Sequence, residues 1–344
     1  MTALPRELPR RLEAQEPPEA RGLRRDEVRL MVARGSDGSI VHTHFRELPR
    51  FLSAGDLLVV NNSATLPAAL SVEREDGTRL ELRLSTRAPR GRDPSWWRVE
   101  LRLGDEPFGQ VRAGEAFSLP AGGRAHVLAP YAVGARLWLA RLELPEPLET
   151  YLRRHGRPIR YRYVPRDWPL DAYQNAYALE PGSAEMPSAG RPFTPELLTA
   201  LLARGIQVAP ITLHTGVSSP ERGEPPYDEH YRVPAATARL VNAVRGWGGR
   251  VIAVGTTVVR ALETVARSDG TVAEDEGWTN LVVTPERGAW AVDGLVTGWH
   301  EPEASHLDLL RAVGGDELVD LSYVAALEED YLWHEFGDSH LILR

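Results

Sequence analysis

Two hydrophobic patterns divide the chain. In the interval from Ser71 to Leu144, apolar and polar residues alternate in short runs, and turns that contain Gly or Pro separate these runs. A period of two is typical of half-buried strands, and five or six such runs at this spacing predict a small antiparallel barrel or sandwich. The predicted strands are 78–84, 96–103, 109–112, 124–128 and 135–144.

The rest of the chain alternates apolar strands with amphipathic helices, which indicates a mixed or parallel sheet covered by helices. Helices are predicted at 196–203, with Thr194 as N-cap and Pro195 in first position, and at 234–247, 256–267, 302–312 and 318–333. Strands are predicted at 56–61, 206–213, 250–254, 281–283 and 289–297. We therefore expect a discontinuous α/β (mixed α+β) catalytic domain, residues 1–66 and 151–344, with an all-β barrel-like domain inserted at 67–150.

Composition limits the class of protein. With 344 residues, 42% hydrophobic and 26% charged, the chain can bury a large core. No stretch reaches the roughly 20 apolar residues of a membrane-spanning helix, and the first 25 residues are polar and rich in Arg and Pro, unlike a signal peptide. We expect a cytoplasmic protein without a membrane partner.

The residue types that are missing exclude several chemistries. The sequence contains no Cys, which excludes disulfides, thiolate metal sites and cysteine nucleophiles, and no Lys, which excludes Schiff bases and a Walker-type lysine. His with Asp or Glu is left as the only plausible metal set, and no His pair has the spacing of a metalloprotease helix. The net charge of −8 argues against a uniformly cationic nucleic-acid binder but allows a local basic face.

One apolar strand turns at Gly255 directly into a predicted helix. Free backbone N–H groups and the positive end of the helix dipole suit a carboxylate or phosphate at that point, and Thr256 and Thr257 add hydroxyl donors. An ordinary capped helix produces the same pattern, and no second glycine supports a dinucleotide-binding loop. An anion site and a plain helix start both remain open.

Three other segments place polar residues in loops or at strand ends. Residues 173–194 are rich in Pro, Gly and Ser and have the length of a binding loop, although a plain surface connection fits equally. His214 ends an apolar strand just before Gly216, which suits a proton carrier beside a ligand crevice, although a lone His there is more often structural. The segment from Asp293 to His300 has the same ambiguity.

In this order and at these separations, the segments resemble the S-adenosylmethionine:tRNA ribosyltransferase-isomerase family. The most specific matches are the loop from Tyr173-Gln174 to Glu180-Pro181-Gly182-Ser183 and the turn Gly255-Thr256-Thr257 followed by Arg260. Other matching blocks lie at 41–48, 55–61 and 336–342, so the resemblance covers most of the chain. It implies an α/β domain with an inserted β-barrel, in agreement with the division made from periodicity.

The resemblance implies a transferase. This family transfers and isomerises the ribosyl group of S-adenosylmethionine onto a 7-aminomethyl-7-deazaguanine base in tRNA, which gives epoxyqueuosine and releases adenine and methionine. It implies no metal and no cofactor beyond S-adenosylmethionine as substrate. Catalytic roles are implied for His214, Asp293 and His300. The residues implied to bind the substrate are Asn61, Tyr173, Tyr177, Glu180, Ser183, Gly255, Thr256, Thr257 and Arg260.

Several positions depart from the family pattern. Asn62 and Ala64 stand where the family usually has an acid and an arginine, Pro192 replaces a histidine, and Glu303 replaces a lysine. Each change removes positive or titratable character expected beside an anionic RNA. Two alternatives to the family reaction therefore stay open. One is a diverged paralogue that uses S-adenosylmethionine on a small-molecule acceptor or cleaves it without RNA, and the other is a non-catalytic binding protein of the same fold.

An arginine-rich stretch after the barrel favours tRNA as a partner. Arg154, Arg157, Arg160 and Arg162 lie among tyrosines, and basic groups interleaved with aromatic rings can follow phosphates and stack bases. A solvated connector at the barrel exit explains the same residues equally well. Because the matching blocks occur in the same order as in the family, we predict tRNA binding and assign it to these four arginines.

Overall fold

The fold was obtained as a computed structural model that describes residues 8–88, 93–131, 136–217, 227–301 and 306–344. The segment before the barrel supplies four strands, of which the third is apolar and buried on both faces, as a central parallel strand should be. These strands are β1 (Arg29–Arg34), β2 (Ile40–His44), β3 (Leu57–Asn61) and β4 (Ser63–Thr65).

The next segment forms the predicted barrel. Its strands are β5 (Ala69–Arg74), β6 (Arg79–Arg87), β7 (Trp96–Leu103), β8 (Glu106–Pro107), β9 (Ala116–Ser118), β10 (Arg124–Pro130) and β11 (Leu137–Glu143). Six of them close an antiparallel ring in the order β11-β10-β9-β5-β6-β7, because β7 pairs back with β11. Alternate side chains such as Leu82, Val99 and Phe117 are fully buried inside the ring.

The predicted strand at 109–112 is wrong. These residues form a loop, and the short strand β9 follows them instead. The chain turns back here because the carboxylate of Glu115 accepts the backbone N–H of Arg112, and Gly114 has a φ of 89°, which favours glycine. Gly114 then donates its N–H to the carbonyl of Val127 rather than to a strand ladder of its own.

The segment after the barrel alternates helices and strands as predicted. Its elements are α1 (Leu148–His155), β12 (Glu180–Ser183), α2 (Pro195–Ala203), β13 (Gln207–Leu213), β14 (Glu229–Val233), α3 (Ala235–Gly246), β15 (Val251–Val254), α4 (Thr256–Thr264), β16 (Asp275–Thr279), β17 (Gly294–Gly298), α5 (His306–Gly314), α6 (Asp316–Glu328) and β18 (Ser339–Leu343). Of the predicted helix 302–312, residues 302–305 lie outside the described residues.

A nine-stranded mixed sheet forms the core of this part, in the order β16-β14-β13-β3-β15-β17-β18-β1-β2. Strands β13, β3, β15 and β17 are parallel, so their carboxyl ends share one edge. Strand β18 runs antiparallel to β17 and begins with Ser339 opposite Gly298, so the loop before β18 reaches the same edge. The α/β fold with a barrel is therefore confirmed, whereas the domain boundaries at 66/67 and 150/151 stay a prediction.

Two other strand predictions are wrong in detail. The predicted strand 281–283 is irregular, because the carbonyl of Leu281 accepts a hydrogen bond from Arg260 Nε at 3.2 Å instead of joining a ladder. Strand β17 begins only at Gly294, because the buried carboxylate of Glu263 accepts the N–H groups of Trp290 and Ala291 and holds them in a loop. No helix among the described residues is long and apolar enough to cross a membrane.

Candidate active site

A cavity of about 730 Å³ opens at the carboxyl edge of the parallel strands, between this edge and the barrel. The α/β side contributes the start of α4, the residues after β17 and the loop before β18. The barrel side contributes the rim of β6 to β8 and the connector 160–163. The polar and aromatic side chains and the helix start that line it include Arg83, Arg102, Arg160, Tyr161, Arg162, Tyr163, Gly255, Thr256, Thr257, His300, Glu301, His306, His334 and Glu335.

The amino end of α4 faces this cavity. Gly255 is its N-cap, with a φ of 97°, and donates its N–H to the carbonyl of Val296 at 2.8 Å. A side chain at this glycine would be strained by the backbone conformation and would lie against Ala189. The next two residues, Thr256 and Thr257, also line the cavity. The predicted helix start is thus placed where its free N–H groups can meet a ligand.

Three histidines lie together in the cavity. The rings of His300 and His306 stack with centroids 4.4 Å apart, and His300 Nε2 lies 3.1 Å from the hydroxyl of Thr297. Burial lowers the pKa of His300 well below its usual value, and it lowers the pKa values of His306 and His334 to about 4. All three imidazoles are therefore neutral at pH 7 and can accept or donate hydrogen bonds without carrying charge.

Glu335 is a strongly perturbed carboxyl group in the cavity, and none of the sequence motifs includes it. Burial raises the pKa of Glu335 to about 8, and its Oε1 has no hydrogen-bond partner among the described residues. The preceding residue, His334, has a φ of 72°, a left-handed conformation that is uncommon for residues other than glycine. An unpartnered acid beside a strained residue in a cavity indicates function.

His214 and Ser183 belong to a network beside the cavity and do not line it. The Ser63 hydroxyl lies 2.7 Å from His214 Nδ1 and 2.6 Å from the Ser183 hydroxyl, which accepts the Thr215 N–H at 3.0 Å. Burial, followed by the charge of the neighbouring His230, lowers the pKa of His214 to about 4. Because Thr215 lines the cavity, this network fixes one part of the wall.

Asn61 ties the same network to the amino end of α4. Its side-chain N–H groups donate to the carbonyl of Leu213 at 2.8 Å and to the Thr257 hydroxyl at 3.3 Å. Its Oδ1 accepts the N–H groups of Leu213 and Ser63 at 3.0 and 3.1 Å. The buried amide is thus fully bonded to protein and joins the ends of β3 and β13 to α4.

The charged residues Arg260 and Glu180 are already paired. Arg260 binds the carboxylate of Glu229 and also donates to the carbonyl of Thr279 at 3.4 Å. Glu180 forms an ion pair with Arg232 at 3.1 Å. Neither residue lines the cavity, so neither is positioned in this structure to hold a ligand directly.

The loop tyrosines do not offer their rings to the cavity. Tyr173 is buried and packs against Phe336 with ring centroids 5.2 Å apart, and Tyr177 meets Phe193 edge-on at 5.9 Å. The polar composition of the loop suggests exposure, but burying two large rings on apolar neighbours stabilises the fold more strongly. The predicted binding of substrate by these two tyrosines has no support in this geometry.

Asp293 lies at the opposite end of the sheet. It precedes β17, and its carboxylate accepts the N–H of Val251, the first residue of β15, at 2.8 Å. The parallel strands place this residue at their amino edge, a full strand length from His300. The structure therefore does not bring the predicted acid and histidine together.

The four arginines assigned to tRNA divide into two pairs. Arg160 and Arg162 line the cavity, whereas Arg154 pairs with Glu146 at 3.0 Å and Arg157 pairs with Glu81 and donates to Ser71 at 3.1 Å. Arg160 is also paired, with Asp167 at 3.0 Å. Arg162 is exposed, and no ion pair involves it within the described ranges.

The residues that depart from the family pattern make contacts within the fold. The Asn62 side chain accepts the Thr212 hydroxyl at 2.7 Å, Ala64 pairs with Pro181 between β4 and β12, and Pro192 is buried just before α2. None of these three lines the cavity. Glu303 lies outside the described residues. In the part of the chain that the structure describes, no group of three or more His, Asp or Glu side chains is arranged to hold a metal ion.

Comparison with known proteins gives a consistent family. Residues 4–342 match the family described as queuosine biosynthesis protein. The S-adenosylmethionine:tRNA ribosyltransferase-isomerases of Symbiobacterium thermophilum and Moorella thermoacetica are 39% and 37% identical to the chain, and each match covers 98% of both sequences. The crystal structure of the S-adenosylmethionine tRNA ribosyltransferase from Thermotoga maritima is 30% identical, with a TM-score of 0.54 over 98% of both chains. The chain therefore belongs to the queuosine biosynthesis family of S-adenosylmethionine:tRNA ribosyltransferase-isomerases.

Proposed function

We propose that this protein transfers and isomerises the ribosyl group of S-adenosylmethionine onto the 7-aminomethyl-7-deazaguanine base of a tRNA, releasing adenine and methionine. The observation that carries the proposal is the match to family members along 98% of the chain. The cavity at the shared carboxyl edge of the strands supports the proposal, because polar side chains and a helix start line it. Because tRNA is the acceptor, the protein would act in the cytoplasm.

The charges of the cavity support a cationic substrate with one anionic end. Among the described residues, seven carboxyl groups and five arginines line the cavity, and Glu301 and Glu335 form no ion pair with an arginine of this set or elsewhere in the described ranges. These carboxyl groups suit the sulfonium and ammonium groups of S-adenosylmethionine. The start of α4, with Gly255, Thr256 and Thr257, suits its carboxylate, because the helix dipole and free N–H groups favour an anion.

Within this proposal Glu335 is the general base. The reaction requires removal of the C5′ proton beside the sulfonium, and Glu335 Oε1 is an unpartnered carboxyl atom in the cavity. A nearby sulfonium lowers the pKa of this carboxyl from its raised value and so favours the form that accepts a proton. His300, which is neutral and bonded to Thr297, would orient the substrate by hydrogen bonding.

The residues of the buried network would act as positioning residues. His214, Ser183 and Asn61 hold the ends of β3 and β13 and the cavity residues Thr215 and Thr257, so their role is to fix the wall. Arg260 would hold Glu229 rather than the methionine carboxylate. Glu180 would likewise hold Arg232.

For tRNA, the cavity entrance offers Arg160 and Arg162 as phosphate contacts. Both line the cavity from the connector that leaves the barrel, so an RNA strand bound there would bring its modified base towards α4. Arg154, in the last turn of α1, and Arg157, which follows that helix, are engaged with Glu146 and Glu81 and would contribute less.

The test is incubation of the purified protein with S-adenosylmethionine and tRNA that carries the aminomethyl deazaguanine, followed by mass spectrometry. The expected result is epoxyqueuosine in tRNA with one adenine and one methionine released for each product. A matched reaction uses tRNA with unmodified guanine, which lacks the nucleophile and should give no product. Equal adenine release without tRNA would favour the small-molecule paralogue, and ligand binding without turnover would favour the non-catalytic protein.

A further inference from the structure

Three aromatic rings form a ladder on one wall of the cavity. Tyr161 and Tyr163, from the connector after the barrel, have ring centroids 5.8 Å apart and planes inclined by 16°. The ring of His334 continues the ladder, 4.2 Å from Tyr163 and inclined by 13°. All three residues line the cavity, and none of them lies in the sequence blocks that resemble the family.

The backbone holds the His334 end of this ladder in place. His334 has a φ of 72°, its N–H donates to the carbonyl of Trp299 at 3.3 Å, and its own carbonyl accepts the N–H of Gly337 at 3.0 Å. A left-handed backbone conformation of this kind persists only when the surrounding contacts hold it. These two backbone hydrogen bonds hold the residue whose imidazole lies parallel to the Tyr163 ring.

The polar atoms around the ladder also fit a nitrogenous base. His334 Nε2 is buried, and no hydrogen bond involves it within the described ranges, while Glu301 lies 3.7 Å away. At the other end, the guanidinium of Arg83 lies 5.8 Å from the Tyr161 ring centroid. Base-stacking sites combine parallel aromatic faces with cations of this kind.

We propose that the ladder of Tyr161, Tyr163 and His334 is a stacking platform for a planar nitrogenous base, which binds on one of its outer rings. The identity of the base rests on the proposed function, which supplies two bases that can bind to the platform. One is the adenine of S-adenosylmethionine and the other is the deazaguanine of tRNA. The middle ring, Tyr163, supports both ends.

The experiment compares variants that keep or remove a ring at each end. Tyr161→Phe and His334→Phe retain a stacking face, whereas Tyr161→Leu and His334→Leu do not. Affinities are measured by calorimetry for 5′-methylthioadenosine, which carries adenine without the methionine group, and for tRNA with and without the modified base. Trp168→Leu is the matched control, because Trp168 packs in the same small apolar cluster as Tyr163 but does not line the cavity.

A Leu variant should reduce the affinity for the ligand that stacks on that ring by roughly 5- to 150-fold. The affinity of its Phe counterpart should stay within a few-fold of wild type. Loss of methylthioadenosine binding assigns the platform to adenine. Loss of the preference for modified tRNA assigns it to deazaguanine. The proposal is overturned if both Leu variants, folded by circular dichroism, bind both ligands as wild type does, or if Phe and Leu variants lose affinity equally.

These outcomes are separate from those of the proposed function. If wild-type protein produces epoxyqueuosine but the Leu variants bind as wild type, only the platform fails. If wild-type protein binds methylthioadenosine but makes no product, the proposed reaction fails, and the variants still decide whether a base stacks on the ladder.

Discussion

The two edges of the four parallel strands differ in how their buried polar groups are hydrogen-bonded. At their amino edge, Asp56 accepts N–H groups from Ser53 and Arg250 at 2.8 and 2.9 Å and binds the Arg250 guanidinium at 2.6 Å. At the carboxyl edge, Glu335 Oε1 and His334 Nε2 are buried and have no hydrogen bond within the described ranges. We call the amino edge, where Asp56 is fully bonded, the satisfied edge, and the carboxyl edge, where these two atoms lack a hydrogen bond, the unsatisfied edge.

This difference separates the structural acid from the functional one. Burial alone would raise the pKa of Asp56, but the bonds from Arg250 and the backbone outweigh it and lower the pKa. Nothing outweighs burial at Glu335, whose pKa is raised to about 8. An unpaired buried group costs stability, so its place in a cavity is better explained by chemistry than by folding.

The largest effect is expected at the unsatisfied edge. Glu335→Gln keeps the shape of the side chain but removes the base, so the rate of adenine release should fall by roughly 10²- to 10⁴-fold. In wild type, kcat/KM for S-adenosylmethionine should rise with pH towards the Glu335 pKa of about 8 in the ligand-free protein, because the carboxyl group must lose its proton first. Chromatography of adenine from reactions quenched between pH 6 and 9 measures both. An unchanged rate and profile in the variant would remove Glu335 from the chemistry.

The same variant should also change how the free energy of unfolding depends on pH. The pKa of Glu335 rises from its ordinary value of 4.5 to about 8 on folding. Between these values the folded protein holds a proton that the unfolded chain releases, so the free energy of unfolding falls as pH rises. Glu335→Gln should abolish this part of the fall in urea titrations. Glu328→Gln, at the exposed end of α6, should leave the wild-type curve unchanged.

The satisfied edge should respond in stability rather than rate. Asp56→Ala leaves the Arg250 guanidinium and two backbone N–H groups without their acceptor, which should lower the free energy of unfolding by about 2 to 4 kcal/mol. Arg250 is about one-third exposed, and water satisfies part of its charge. Asp56→Asn, the matched control, keeps an acceptor and should lose less. Adenine release per folded molecule should match wild type in both, and a large loss would contradict the division between the edges.

The fold could be predicted where local pattern and tertiary structure agree. Thr194 caps α2 by accepting the Leu197 N–H at 3.1 Å, and the alternating run 96–103 forms the strand that its pattern predicts. Strand β16 could not be found, since Asp275–Thr279 is polar and exists only by pairing with β14. Strand β18 is a short apolar run near the chain end, and its direction depends on pairing with β17.

The sequence predicts a residue of the site only where that residue directly follows a parallel strand, because the carboxyl ends of such strands line the cavity. Gly255, Thr256 and His300 follow parallel strands, and this rule places them in the cavity. It fails for Glu335, because this residue reaches the cavity through the antiparallel pairing of β18, a contact between distant parts of the chain. It also fails for Asp293, which precedes its strand instead of following it.

A moderate effect is expected from the arginines at the cavity entrance. Replacing Arg160 and Arg162 by Ala should reduce the dependence of log Kd for tRNA on log salt by about 1 to 2, since each phosphate contact releases counterion. The double variant is compared with Arg239→Ala, an exposed arginine on α3 outside the cavity. Binding isotherms at several salt concentrations give the slopes. An equal slope in the double variant and wild type would place the RNA elsewhere.

The smallest effect is expected at Asp293. A structural role at the amino edge predicts a change in stability, whereas a catalytic role predicts a loss of rate. If this residue belongs to the satisfied edge, Asp293→Asn should keep the acceptor for the Val251 N–H and cost roughly 1 kcal/mol or less. Asp293→Ala leaves that buried N–H unpaired and should cost about 1 to 3 kcal/mol. Urea unfolding distinguishes the two variants, and adenine release per folded molecule should be unaltered in both. If the well-folded Asn variant loses more than about tenfold in rate, Asp293 takes part in catalysis. A residue whose hydrogen bonds are satisfied within the fold could then still act in the reaction.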